Sequence, residues 1–191
     1  MKRRAMVLAA SLAVALVGSA LSAGAATAKA NPVVNGSFER PVLNDGEMLR
    51  FVEVGQHVGV WTVSVGTVIL EGPFPGAEIP PDGNQDVVLR TGPGPSSGEI
   101  CQTVSGLIPS TSYKIRFLAA SILSDSTIDI TFGGNSVAHL DLSFTSPAVF
   151  VAYHSTVTAA ASSASLCLRG GSIDGNGFPI VDAVHMKPVA G

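Results

Sequence analysis

Beyond residue 30, apolar residues alternate with polar ones at every second position over most of the chain, and helical spacing is almost absent. Tyr113, Ile115, Phe117 and Ala119 alternate with Ser112, Lys114 and Arg116, which predicts a half-buried strand. Ile128, Ile130 and Phe132 alternate with Thr127, Asp129 and Thr131, and Leu140, Leu142 and Phe144 alternate with His139, Asp141 and Ser143. "WTVSVGTVIL", "PAVFVAYHSTVTA", "ASLCLRG" and "PIVDAVHM" read as further strands, the first with Trp61 as a core residue. Gly133-Gly134-Asn135 predicts a hairpin turn between two of the runs. Short strands at such even spacing, with turn residues between them, indicate an all-β sandwich or barrel.

Two stretches break the rhythm. Residues 71–84, "EGPFPGAEIPPDGN", carry four prolines and three glycines, which excludes a central strand. Residues 92–98, "GPGPSSG", read the same way. Both are loops, and loops on a rigid sandwich are where binding concentrates.

Parity also places the cysteines. Ile100, Gln102 and Val104 share one strand face and Cys101 falls on the other, while Cys167 falls opposite Leu166 and Leu168. Both thiols therefore sit on the less apolar face, as a disulfide between neighbouring strands of one sheet requires, with Cα atoms roughly 5.5 Å apart. The alternatives are two buried free thiols or a metal pair lacking its other ligands.

Residues 1–30 change the picture of charge and location. Lys2, Arg3 and Arg4 precede an apolar, alanine-rich run from Met6 to Leu21, followed by small-residue cleavage patterns at Ala26-Thr27-Ala28 and Ala28-Lys29-Ala30. This is the pattern of a cleaved secretion signal, so a secreted, extracellular protein starting near Asn31 is expected, with 31–191 as one domain and no membrane span in it. Four of the eleven basic residues leave with the leader and all fourteen acidic ones stay, giving 7 − 14 = −7. A surface of that sign repels phosphate backbones, which excludes nucleic acid as an expected partner. An even cysteine count in an oxidising compartment favours the Cys101–Cys167 disulfide.

"NGSFERP", Asn35 to Pro41, is hard to read as a strand, because a carboxylate at Glu39 follows an amide, a glycine and an aromatic. A buried carboxylate is costly unless paired, hydrogen-bonded or bound to a metal. Taken in order, "VVNGSFERP", "WTVSVGTVIL", "DGNQDVVL", "GEICQTV", "STSYKIRF" and "PIVDAV" resemble the exported choice-of-anchor C family and the related plant cell-wall domain of unknown function. The resemblance runs from about Val33 to Val184; the 40–60 insertion and Cys101 beside Gln102 depart from the pattern. It implies a galactose-binding-like jelly-roll β-sandwich, a superfamily rich in carbohydrate-binding modules. It also implies a structural Ca²⁺ near the chain ends, held by a carboxylate after the first strand and an aspartate in the last, here Glu39 and Asp182. The alternative is that Glu39 pairs with Arg40 or Arg50 or caps backbone amides, and that Asp182 does the same.

Catalytic constellations are missing. His57, His139, His154 and His185 are scattered without an HExxH pair, no GxSxG elbow exists, and neither cysteine sits in a nucleophile context. Asp82 and Asp86 flank "GNQ" as a conceivable acid–base pair, but Asp82-Gly83 also reads as a turn. A noncatalytic module that binds carbohydrate or a cell-envelope polymer is the expectation, with a structural or adhesive protein scaffold as the alternative and a glycoside hydrolase third. Phe74 and Tyr153 are its aromatic ligand candidates, and Asp82, Asn84, Gln85 and Arg90 its polar ones. Gln85 and Gln102 can equally satisfy backbone groups.

Overall fold

The computed structural model describes residues 31–73, 79–89 and 97–189. The signal peptide expected over residues 1–30 lies outside them, as do Phe74 and Arg90. Among the described residues the chain forms strands and no helix. They are β1 Leu49–Glu53, β2 His57–Val58, β3 Trp61–Val65, β4 Thr67–Glu71, β5 Asp86–Val88 and β6 Glu99–Ser105. Then come β7 Ser112–Ile122, β8 Ser126–Phe132, β9 Asn135–Leu142, β10 Val151–Thr158, β11 Ser163–Ser172 and β12 Phe178–Pro188. They build two six-stranded sheets, ordered β1-β4-β5-β12-β7-β10 and β2-β3-β6-β11-β8-β9, a β-sandwich of jelly-roll type.

One apolar core fills the space between the sheets. Leu70, Tyr113, Ile115, Phe117 and Val181 face Trp61, Ile100, Ile128, Leu166 and Leu168, all of them buried. The alternation read along β7 and β8 is the alternation found, with Tyr113, Ile115 and Phe117 inside and Lys114 and Arg116 in solvent. The Gly133-Gly134 turn joins β8 to β9 with Phe132 opposite Asn135. Cys101 and Cys167 are directly opposite in the β6–β11 register and form a disulfide with Cα atoms 4.1 Å apart.

Three expectations are corrected. "WTVSVGTVIL" is two strands: the chain crosses at Gly66, so β3 lies in one sheet and β4 in the other. Phe144 is not the last inward residue of a strand, because β9 ends at Leu142 opposite Ser126, where β8 begins and the ladder runs out. Residues 33–41 form no strand, so the first strand that the resemblance puts before Glu39 is not found there.

Side-chain amides replace the missing ladder in that segment. Gln102 accepts the Val34 N–H at 2.8 Å and donates to the Val34 carbonyl at 2.7 Å. Asn35 does the same for Arg40, at 3.0 Å and 2.8 Å. Gln85 donates to the carbonyls of Phe38 and Pro41 and accepts the Leu43 N–H at 2.7 Å. These amides pair backbone groups that have no ladder partner, the Phe38 carbonyl among them being buried. At Gly36 the chain runs so close to β12 that a Cβ would stand 2.0 Å from the Val184 carbonyl oxygen, while the Val184 N–H bonds Gly36 O at 2.8 Å. Val184 is free to make that bond because an extra residue between Asp182 and His185 bulges β12 away from β7. Phe38 then tucks under Trp61, with ring centroids 5.7 Å apart, and the indole N–H reaches Asn35 O at 3.0 Å.

Candidate functional site

The segment that holds Glu39 and strand β12 meet on loop 81–85. Asp182, in β12, is fully buried; its Oδ2 accepts the Asp82 N–H at 2.8 Å and its Oδ1 the Ala183 N–H at 2.6 Å. Glu39, half-buried in the N-terminal segment, holds the N–H groups of Asn84 and Gln85 on one oxygen, at 2.7 Å and 2.8 Å. Glycine is required at position 83, where φ is +106° and a Cβ would lie 2.4 Å from that same Glu39 oxygen. The two acids implied by resemblance thus clamp one loop from two sides, and capping of backbone amides is what each is seen to do.

More carboxylates surround the clamp. Glu71 lies opposite Asp86 in the β4–β5 register, and both are buried on the same outer side of the sheet as Asp182. Asp86 is 2 % exposed, which keeps it from meeting a polymer alongside Asp82 as an acid–base pair. Burial pushes the Asp182 carboxyl from its ordinary 3.8 up to about 7; the amides of Asp82 and Ala183 oppose this, and the charges of Asp82 and Glu39 add to it.

The sign of the linkage follows. Over the window from 3.8 to about 7 the folded chain binds a proton that the unfolded chain has released, so stability falls as pH rises through it. In EDTA, the urea midpoint is expected to drop between those pH values, and Asp182→Asn to remove that part of the drop. An identical pH profile in the variant rules the account out.

The donor set suits a hard cation. Carboxylate oxygens are what Ca²⁺ takes: the two Asp182 oxygens hold one amide each and keep acceptor capacity, while Glu39 Oε1 already holds two and leaves Oε2 as its oxygen for an ion. Among the described residues Glu39 and Asp182 belong to no cluster of three acidic, imidazole or thiol groups within 4.8 Å of one another, so carbonyls would complete such a shell. Among the described residues Glu99, Cys101 and Cys167 do converge, but both thiols are committed to the disulfide.

The expected ligand residues scatter. Gln85 is buried with its amide engaged by the chain, the structural role open to it from the sequence. Tyr153 is not a surface platform: its ring packs on the core, stacked 6.0 Å from Phe117. Asp82 and Asn84 stay accessible, the side chain of Asp82 at 48 %. Asp82 opens onto a groove of about 490 Å³ on the outer face of β7 and β12, bordered by Lys114, Arg116, Leu118, His185 and Lys187. Sequence reading missed this groove, although Lys114-x-Arg116 and His185-x-Lys187 each put two basic groups on one strand face.

No family model and no curated protein matches the chain. Solved structures do. TmCBM61, a structure in complex with β-1,4-galactotriose, is 13 % identical, with 84 % of this chain and all of that one covered at a TM-score of 0.54. The architecture shared with it is a jelly-roll β-sandwich. A second match is the CBM22-1 xylan-binding domain of Paenibacillus barcinonensis Xyn10C, 17 % identical, with coverages of 87 % and 99 % and a TM-score of 0.53. Against the tandem of CBM22-1 and CBM22-2 from the same enzyme, this chain spans 48 % of the length, one sandwich of the pair. Identity this low carries the architecture alone. Among the described residues, no helix is long and apolar enough to cross a membrane.

Proposed function

We propose that the chain is a secreted, noncatalytic carbohydrate-binding module directed at a cell-envelope polysaccharide, and a member of the choice-of-anchor C group. The observation that carries this is the likeness, over 84–87 % of the chain, to a xylan-binding domain and to a module held in complex with β-1,4-galactotriose. The ordered motifs from "VVNGSFERP" to "PIVDAV" support the family, and the disulfide supports an oxidising location. A glycan array with polysaccharide pull-down tests it: retention by at least one glycan is expected, and retention by none moves the sandwich to the class of protein-interaction scaffolds.

Calcium belongs to the same reading. Bound by Glu39 and Asp182 with loop carbonyls, it would neutralise the acids around loop 81–85 and lock the N-terminal segment to β12. At a hundredfold excess over its dissociation constant it would stabilise the fold by about 3 kcal/mol. For a domain of this size that is roughly 5–10 °C in Tm. The gain is expected to vanish in EDTA and in Asp182→Asn. Equal melting in EDTA and in millimolar calcium removes the ion from the proposal.

A further inference from the structure

We infer that the groove on the outer face of β7 and β12 binds a polysaccharide bearing about one carboxylate per sugar, a uronate polymer; this rests on the carbohydrate-binding reading. The register forms a grid of basic groups. Lys114 lies directly opposite Lys187, and Arg116 lies between His185 on one side and His154 of β10 on the other. Neighbouring strands are about 4.8 Å apart and same-face residues along a strand about 6.8 Å. Directly opposed like charges destabilise a sheet, so nothing in folding favours the Lys114–Lys187 pair. No carboxylate lies within 4.0 Å of Lys114, Arg116 or Lys187 among the described residues, in a chain where acids outnumber basic residues fourteen to seven beyond position 30. Three of those seven basic residues share this one face, and all three are exposed.

The other groups in the groove narrow the ligand. Arg116 offers a planar fork that matches a carboxylate with two parallel hydrogen bonds. His185 is held in one tautomer: Asn31 Oδ1 accepts the N–H groups of Val33 and Met186, so Asn31 Nδ2 donates to His185 Nδ1 at 3.0 Å. That leaves an Nε2–H donor 3.9 Å from Asp82 Oδ2. Asp82 accepts sugar hydroxyls but repels a densely charged chain, and Leu118 supplies an apolar patch for a ring face. Hydroxyls with one carboxylate per ring suit this mixture; several sulfates per ring do not. The volume, about 490 Å³, lies within the range of sites that hold a few sugar units.

Affinity electrophoresis in gels containing polygalacturonate, neutral xylan, neutral galactan or dextran sulfate tests the inference. Polygalacturonate is expected to retard the protein, less so as sodium chloride is added. The double variant Lys114→Gln/Lys187→Gln and the single variant Arg116→Gln should each weaken that retention by at least about tenfold, as loss of charge-assisted hydrogen bonds implies. Arg116→Lys should restore only part of it. Melting temperatures of the two Arg116 variants should match the parent and that of the double lysine variant should equal or exceed it, since the opposed charges are gone, which separates lost binding from lost folding. If neutral glycans bind, polygalacturonate does not, and the variants change nothing, the groove is overturned while the carbohydrate-binding reading survives. Binding to none of the four polymers overturns both. Dextran sulfate held as tightly as polygalacturonate overturns the choice of a carboxylate ligand.

Discussion

Trp61→Ala is expected to cost about 3–5 kcal/mol of unfolding free energy, the range for emptying an aromatic site in a packed core. The ring is fully buried and packs against Phe38, the residue through which the N-terminal segment enters the core. Its indole N–H also holds Asn35 O, so the alanine variant leaves that carbonyl without its donor as well as leaving a cavity. Total stabilities of single domains are only about 5–15 kcal/mol, so most of the margin could go in one substitution. The cost should be structured. Trp61→Phe keeps most of the packing and loses the hydrogen bond, and should lie near 1–3 kcal/mol. Because Asn35, Phe38 and Glu39 follow one another, loosening Trp61 should also release Glu39 from loop 81–85, giving faster exchange of the Asn84 and Gln85 amides than of amides in β7. Urea unfolding followed by far-ultraviolet circular dichroism measures the first effect, and hydrogen exchange the second. A loss below 1 kcal/mol, or no difference between the alanine and phenylalanine variants, would mean that the indole does not anchor the segment.

Strand interiors were legible because the core imposes a period of two and the surface tolerates the polar complement. The same logic placed both cysteines on one sheet face, and it could have found the corner at Gly66. Trp61 and Val63 point inward on odd positions, Val68 and Leu70 on even ones, and the phase slips where the chain changes sheets. What periodicity could not show was the segment at Val34–Pro41, since the backbone of Val34 bonds the Gln102 side chain, 68 residues away, and the carbonyls of Phe38 and Pro41 bond that of Gln85, 47 and 44 residues away. No local pattern encodes such a partner. The resemblance drew Glu39 and Asp182 together, but it took three dimensions to show that they share a loop. The surface groove stayed hidden for a different reason: Lys114 and Lys187 are neighbours only through the β7–β12 register. In a sequence reading each is an ordinary solvated lysine, and only their opposition makes them unusual.

Cys101→Ser/Cys167→Ser is expected to lower stability by about 4 kcal/mol and Tm by roughly 8–16 °C. The size comes from the loop. The bond ties residues 66 apart, and its removal returns to the unfolded chain the entropy of a closed ring of that length. The folded state should change little, because the cysteines are only half-buried and their strands already pair from Ser163–Ser105 to Arg169–Glu99. Two consequences distinguish this mechanism from a packing defect. The variant's denaturant m value should rise, since an unlinked unfolded chain is more expanded and exposes more surface. Reduction of the parent protein with a thiol reagent should reproduce the serine variant's midpoint. A variant that melts with the parent would show that the bond contributes nothing, and one that loses stability without a change in m would place its contribution in the native contacts of β6 and β11 and not in the unfolded chain.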